Sequence, residues 1–144
     1  MHKTGVIKLD TQGSELDILT GAINALRGVI ALEIEVEFNP IYTGQPLFAD
    51  VDTFLRRHGF VLWRLEHLVH YGFSSESSHY DVSECQWFDD REVGFMAQGG
   101  QLFWGHAYYL RENVVRRPDV RTACIAYALG FTDLYRIHSA SIET

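Results

Sequence analysis

Three apolar, strand-like runs alternate with two helix-period segments across the first 65 residues, and this alternation leaves few folds open to the chain. Ile7-Lys8-Leu9 is a short strand that ends on the carboxylate of Asp10, turns through Gly13 and enters a helix. Leu16, Leu19, Ile23 and Leu26 then recur at helical spacing until Gly28, and Ser14 with Asp17 fits a capping box. From Val29 to Phe38 the period changes to two: Ile30, Leu32, Ile34, Val36 and Phe38 share one face, and Glu33, Glu35 and Glu37 share the other. Asn39-Pro40 ends that strand. A second helix is expected from about Leu47 to His58, with Gly59 as its left-handed cap, and Phe60 to Leu65 is the next strand. Strand, helix, strand, helix, strand means two right-handed crossovers, hence a parallel sheet with helices packed on it.

The second half is less regular. Residues 69–100 hold a serine run at Ser74-Ser75, Asp89-Asp90 and Gly99-Gly100 among scattered aromatics, and read as a long loop or insertion. Gln101 to Arg111 forms a final strand with no helix-length segment before it, so it is expected to run antiparallel to its neighbour. Pro118-Asp119 opens a terminal helix that stops at Gly130. Residues 1–117 are therefore expected to form the body of one domain, with 118–144 as its helical extension.

Composition removes several classes of function. A formal charge of −7 with no basic stripe disfavours nucleic acid and anionic membrane as partners. No apolar run approaches the ~18 residues that span a bilayer, and the N-terminus lacks the apolar core of a signal peptide. Two cysteines, Cys85 and Cys124, allow at most one bridge and form no metal-binding spacing, so a reducing, cytoplasmic setting is expected. His67 and His70 stand three apart on a strand end, where that spacing sends them to opposite faces; no metal set is expected.

Several blocks in fixed order carry a family resemblance. Residues Ile7 to Leu16, then Leu19-Thr20-Gly21-Ala22, Glu35-Val36-Glu37-Phe38 and Ile41 to Phe48, with Gly100 to Trp104 and Ala107 to Arg111 later, resemble the C-terminal half of the FkbM family of S-adenosylmethionine-dependent methyltransferases. The resemblance spans residues 5–65 and 100–130. It implies a partial Rossmann-like sheet from the fourth strand onward, with an antiparallel last strand, and O-methyl transfer to a small-molecule or sugar hydroxyl. S-adenosylmethionine is the implied cofactor. Such families hold it with a glycine-rich turn after the first strand and an acidic residue after the second. This sequence contains no such turn, so the half that binds the donor is expected to be missing and the chain inactive without it. His106 departs from the family, which often places an aspartate there.

Candidate site residues follow from position and resemblance together. Asp10 ends the first strand, where open α/β sheets bind ligands, and can contact the donor or accept a proton; capping the turn at Thr11 to Ser14 is the plainer role. Gln12 and Gly13 in that turn are the other cofactor-binding candidates. Glu35 joins Asp10 as a catalytic candidate, its alternative being an ion pair with a neighbouring arginine. Glu37 and Tyr42 are the substrate-binding candidates. Glu15 is expected simply to favour the helix dipole. Trp104 and Tyr108 share a strand face and are expected in the core. A non-catalytic remnant serving as a binding or oligomerisation module remains the competing reading. Its natural surface is the apolar edge Val6 to Leu9, which is expected to be covered by the C-terminal helix, by Met1 to Gly5, or by a second copy in a homodimer.

Overall fold

The computed structural model describes residues 5–73, 80–88, 101–117 and 119–140. Its elements in chain order are β1 (Val6–Leu9), α1 (Glu15–Gly21), α2 (Ile23–Leu26), β2 (Ala31–Glu37), α3 (Phe48–Arg57), β3 (Phe60–Phe73), β4 (Tyr80–Phe88), β5 (Gln101–Arg111), α4 (Glu112–Val115), α5 (Val120–Ala128) and α6 (Thr132–Ala140). The strands form one mixed sheet in the order β1-β2-β5-β3-β4. β1 and β2 are parallel, joined through α1 and α2. β5 slots between β2 and β3 and runs antiparallel to both, as expected from the sequence.

One face of the sheet carries the main core. Leu32, Ile34 and Val36 of β2 with Ala107 and Tyr109 of β5 pack against Leu19 and Leu26 below and Val51 and Leu55 of α3. On the opposite face the α5–α6 pair covers only one end of the sheet, where Ala31, Tyr108 and Leu110 meet Ala126, Phe131 and Leu134. Phe131 stands edge-on to Tyr108, with ring centroids 5.7 Å apart. Arg111 ties the first core to its loops: its guanidinium donates to the carbonyls of Leu26, Val29 (2.7 Å) and His58, and lies 4.2 Å from the centroid of the Phe60 ring.

Several expectations need correction. The single helix from Ser14 to Gly28 breaks at Ala22 into α1 and α2. Thr20 Oγ1 turns back onto the Leu16 carbonyl at 2.7 Å, a bond that bends helices, and Gly21 beside it holds the backbone least firmly. Ser14 makes no side-chain cap on α1. The third strand does not stop at Leu65 but runs to Phe73, and residues 80–88 pair with it; the described parts of the expected loop 69–100 are thus paired antiparallel strand, and the rest of it lies outside the described residues. Polar His67 and His70 interrupted the apolar pattern, yet the strand continues through a bulge there, with His67 at φ 51. The terminal helix does stop at Gly130 (φ 72), but a further helix, α6, follows it.

β1 stands at the sheet edge, and none of its residues is buried. α5 reaches the chain just before it, since a Cβ on Gly5 would lie 3.5 Å from Ile125. Val6 remains 39% exposed. The expected cover by Met1 to Thr4 lies outside the described residues.

Candidate functional site

β1 and β2 end side by side, and the carboxylates predicted from sequence gather at that end. Leu9 pairs with Ile34, so Asp10 follows opposite Glu35. The two carboxyls share a hydrogen bond. Gln12, in left-handed conformation at φ 59, donates its amide to Glu35 Oε2 at 2.8 Å. A non-glycine residue at positive φ costs energy, and here the strained turn delivers the amide that grips Glu35. Glu35 and Glu37 are buried, 5% and 3% exposed, whereas the Asp10 side chain is 42% exposed.

The electrostatics follow from that burial. Desolvation, reinforced by the Asp10 hydrogen bond and charge, pushes Glu35 up to about 7. The same hydrogen bond, seen from the exposed partner, holds Asp10 below its ordinary value. Desolvation also pushes Glu37 up to about 7, with the Glu15 charge adding to it. The Gln45 amide, whose Nε2 is buried with no hydrogen-bond partner, lies near enough to offset part of that rise. Near neutral pH the crevice therefore holds protons as well as charge.

Glu15 does more than favour a dipole. It is 3% exposed, and its carboxylate accepts from Thr11 N (2.7 Å), Thr11 Oγ1 (2.9 Å) and Gly13 N (2.9 Å). Glu15 thus holds the turn at Thr11 to Ser14, the plainer role considered for Asp10, while these bonds leave the first-turn amides of α1 uncapped. Gly13 sits at φ 106, and a Cβ there would come within 2.7 Å of Gln45 Nε2. Gln45 in turn accepts from Ile41 N at 3.0 Å and Tyr42 N at 3.1 Å through Oε1. The structure thus brings Asp10, Gln12, Gly13, Glu35 and Glu37 together. Tyr42 stands on the rim, 56% exposed, anchored by its backbone rather than its ring.

Pairing with β5 adds residues that spacing along the chain did not reveal. Glu33, Glu35 and Glu37 lie opposite Tyr108, His106 and Trp104. On β3, Arg64 lies opposite Tyr108 and Glu66 opposite His106. Two rows of polar and ionisable side chains therefore run across β1, β2, β5 and β3 on one face: Lys8, Glu33, Tyr108 and Arg64, and beside it Asp10 just past the end of β1, Glu35, His106 and Glu66. Glu33 Oε1 receives Lys8 Nζ at 3.0 Å and His106 Nδ1 at 2.9 Å. Burial works to raise Glu33, but those two partners outweigh it and leave the carboxyl below its ordinary range. Arg64 pairs with Glu66 and lies 4.8 Å from the Phe131 ring centroid. Burial pushes the Tyr108 phenol well above its usual range, with Glu33 and Glu66 adding to it.

Asp10, Glu35 and Gln12 thus present carboxylate and amide acceptors together at the strand ends, an arrangement suited to a cationic group. Among the described residues no group of three or more His, Cys, Asp or Glu could hold a metal ion, and no helix is long and apolar enough to cross a membrane. Cys124 is exposed and free.

A mixed α/β sheet whose parallel strands end in a carboxylate crevice is compatible with a methyltransferase-like fold. In the comparison with known families, residues 2–62 match the Methyltransferase FkbM domain. The family resemblance is therefore borne out over the N-terminal part of the chain, β1 to the start of β3, and that part includes every predicted site residue. The later blocks from Gly100 onward lie outside the matched segment. No curated protein and no solved structure matched the chain.

Proposed function

We propose that this chain supplies the acceptor side of an S-adenosylmethionine-dependent O-methyltransferase acting on a hydroxyl of a small molecule or sugar. What carries the reading is that the segment matching the FkbM domain sets Asp10 and Glu35 together at the ends of two adjacent parallel strands. Ligands of open α/β sheets bind at that edge. Bound there, S-adenosylmethionine would supply an electrophilic methyl group.

The chain's own residues do the rest. Asp10 and Gln12 hold the cationic end of the donor. Glu35 and Glu37 accept hydrogen bonds from the substrate's hydroxyls and orient the nucleophilic oxygen, with Tyr42 at the rim; alignment of this kind supplies much of the rate in a displacement. The sequence contains no glycine-rich turn to cradle the adenosine, and so the chain alone holds the donor weakly and does not turn over.

Calorimetric titration with S-adenosylmethionine tests this. Weak binding, with a dissociation constant between roughly 0.1 and 1 mM, that is lost in Asp10→Asn is the expected result. Binding at about 1 µM or tighter would overturn the claim of inactivity, and no heat at millimolar donor would overturn the methyltransferase reading.

A further inference from the structure

Glu33 and His106 lie outside the catalytic set just described, yet they have the arrangement of an oriented base. We propose that Glu33 and His106 form an acid–base dyad beside the crevice, in which His106 removes the proton from the hydroxyl being methylated. The reaction assigned to the dyad rests on the methyltransferase reading; the dyad itself rests on geometry.

Glu33 is held by two donors, Lys8 Nζ at 3.0 Å and His106 Nδ1 at 2.9 Å. A carboxylate can only accept, so Nδ1 must carry the hydrogen in that bond. The basic position of the ring is then Nε2. A carboxylate that fixes the tautomer and stabilises the imidazolium is what turns a histidine into a general base. Lys8 strengthens the arrangement by keeping Glu33 charged from the solvent side. The ring itself is held among aromatics, with His67 edge-on at 5.4 Å and Trp104 at 6.2 Å between centroids. The groups facing it are Glu35 from β2 and Glu66 from β3, both directly opposite in register. Glu35 connects it to Asp10, so the dyad borders the crevice by one strand position.

The step balances without a further reactant. The acceptor oxygen forms a bond to the methyl carbon, the carbon–sulfur bond of the sulfonium breaks, and its electron pair stays on sulfur as a neutral thioether. The hydroxyl proton passes to His106 Nε2, and Glu33 stabilises the cation formed. Deprotonation then returns the ring to its starting tautomer through water.

The test needs no substrate. The full chain is treated with diethyl pyrocarbonate at about pH 8, where an ordinary imidazole is neutral, and modification at each histidine is followed by peptide mass spectrometry. His106 is expected to react faster than His67 or His138. In Glu33→Gln its rate should fall several-fold, because the neutral amide neither fixes the tautomer that leaves Nε2 bare nor stabilises the charge that builds on the ring as Nε2 attacks. Imidazole 15N spectra of the unaltered chain provide a second reading that requires no variant, with Nδ1 protonated and Nε2 bare. An unreactive His106, or one protonated at Nε2, overturns the dyad. A histidine paired only for structure would show the tautomer without the reactivity. The donor titration separates the two readings: a reactive His106 in a chain that never binds the donor overturns the methyltransferase assignment and not the dyad.

Discussion

Replacing Glu37 by glutamine should stabilise the protein at neutral and alkaline pH and change little in acid. Glu37 is 3% exposed at the end of β2, and burial together with the Glu15 charge raises its carboxyl from an ordinary 4.5 to about 7. A carboxyl raised on folding binds its proton more tightly in the native state than in the unfolded chain. Stability therefore falls as pH rises between the two values, from about 4.5 to about 7, and the penalty is complete above that window. At about 1.4 kcal/mol per pH unit the full effect is about 3.5 kcal/mol, and relaxation of the site toward water when Glu37 ionises would leave about 2. Glutamine has the shape of the neutral acid and cannot ionise. Urea unfolding of both proteins at about pH 5 and about pH 8 reads the contribution; Glu35 titrates in each, and the part of its rise that comes from the Glu37 charge is lost in the variant and adds to the gain. Asp10 and Glu33, whose values are lowered, exert their effect below this window, and Lys8, raised, above it. The variant should gain about 2 kcal/mol relative to the parent on going from acid to alkaline pH. Equal differences at the two pH values would show that Glu37 is solvated and the reasoning wrong.

Other substitutions probe separate parts of the structure. Asp10→Asn removes the charge and hydrogen bond that help to hold Glu35 up, so the Glu35 carboxyl should titrate below its present value of about 7, readable from its 13C chemical shift against pH. Gly105→Ala would put a Cβ 2.7 Å from Leu68 Cδ2 and 3.2 Å from the Glu66 carbonyl; forcing β3 from β5 should cost about 1–3 kcal/mol in denaturant unfolding. Arg111→Lys keeps the charge but loses the planar fork that reaches three carbonyls and lies over Phe60, and should cost about 2 kcal/mol, with a lowered Tm. Gly13→Ala meets both a φ of 106 and Gln45 Nε2 at 2.7 Å, and should cost more than about 1 kcal/mol while loosening the turn that carries Gln12.

What could be read from sequence is what local physics decides. α3 is legible because an amphipathic run ends at Gly59, whose φ of 78 few other residues tolerate, and Asp50 accepts from the Leu47 N–H at 2.9 Å to close its start. β2 is legible because a period of two with carboxylates on one face has no helical interpretation. Asp10 and Glu35 were found as separate candidates, each from its place at a strand end. That they share a hydrogen bond depends on the β1–β2 register, and register is a property of two segments at once. The same holds more strongly for Glu33 and His106, which lie 73 residues apart. Reading along the chain, Glu33 lies too far from the strand end to reach the crevice, and His106 is a departure from an expected aspartate. Only when β5 inserts between β2 and β3 do they become neighbours. β3 overran its predicted end for a related reason. His67 and His70 spoil an apolar pattern, but a strand with partners on both sides, β5 and β4, satisfies its backbone whatever its side chains are. Glu15 shows the limit at short range. Its three acceptor bonds span only four residues, yet they depend on Gln12 and Gly13 adopting positive φ, so its role became visible only with the backbone.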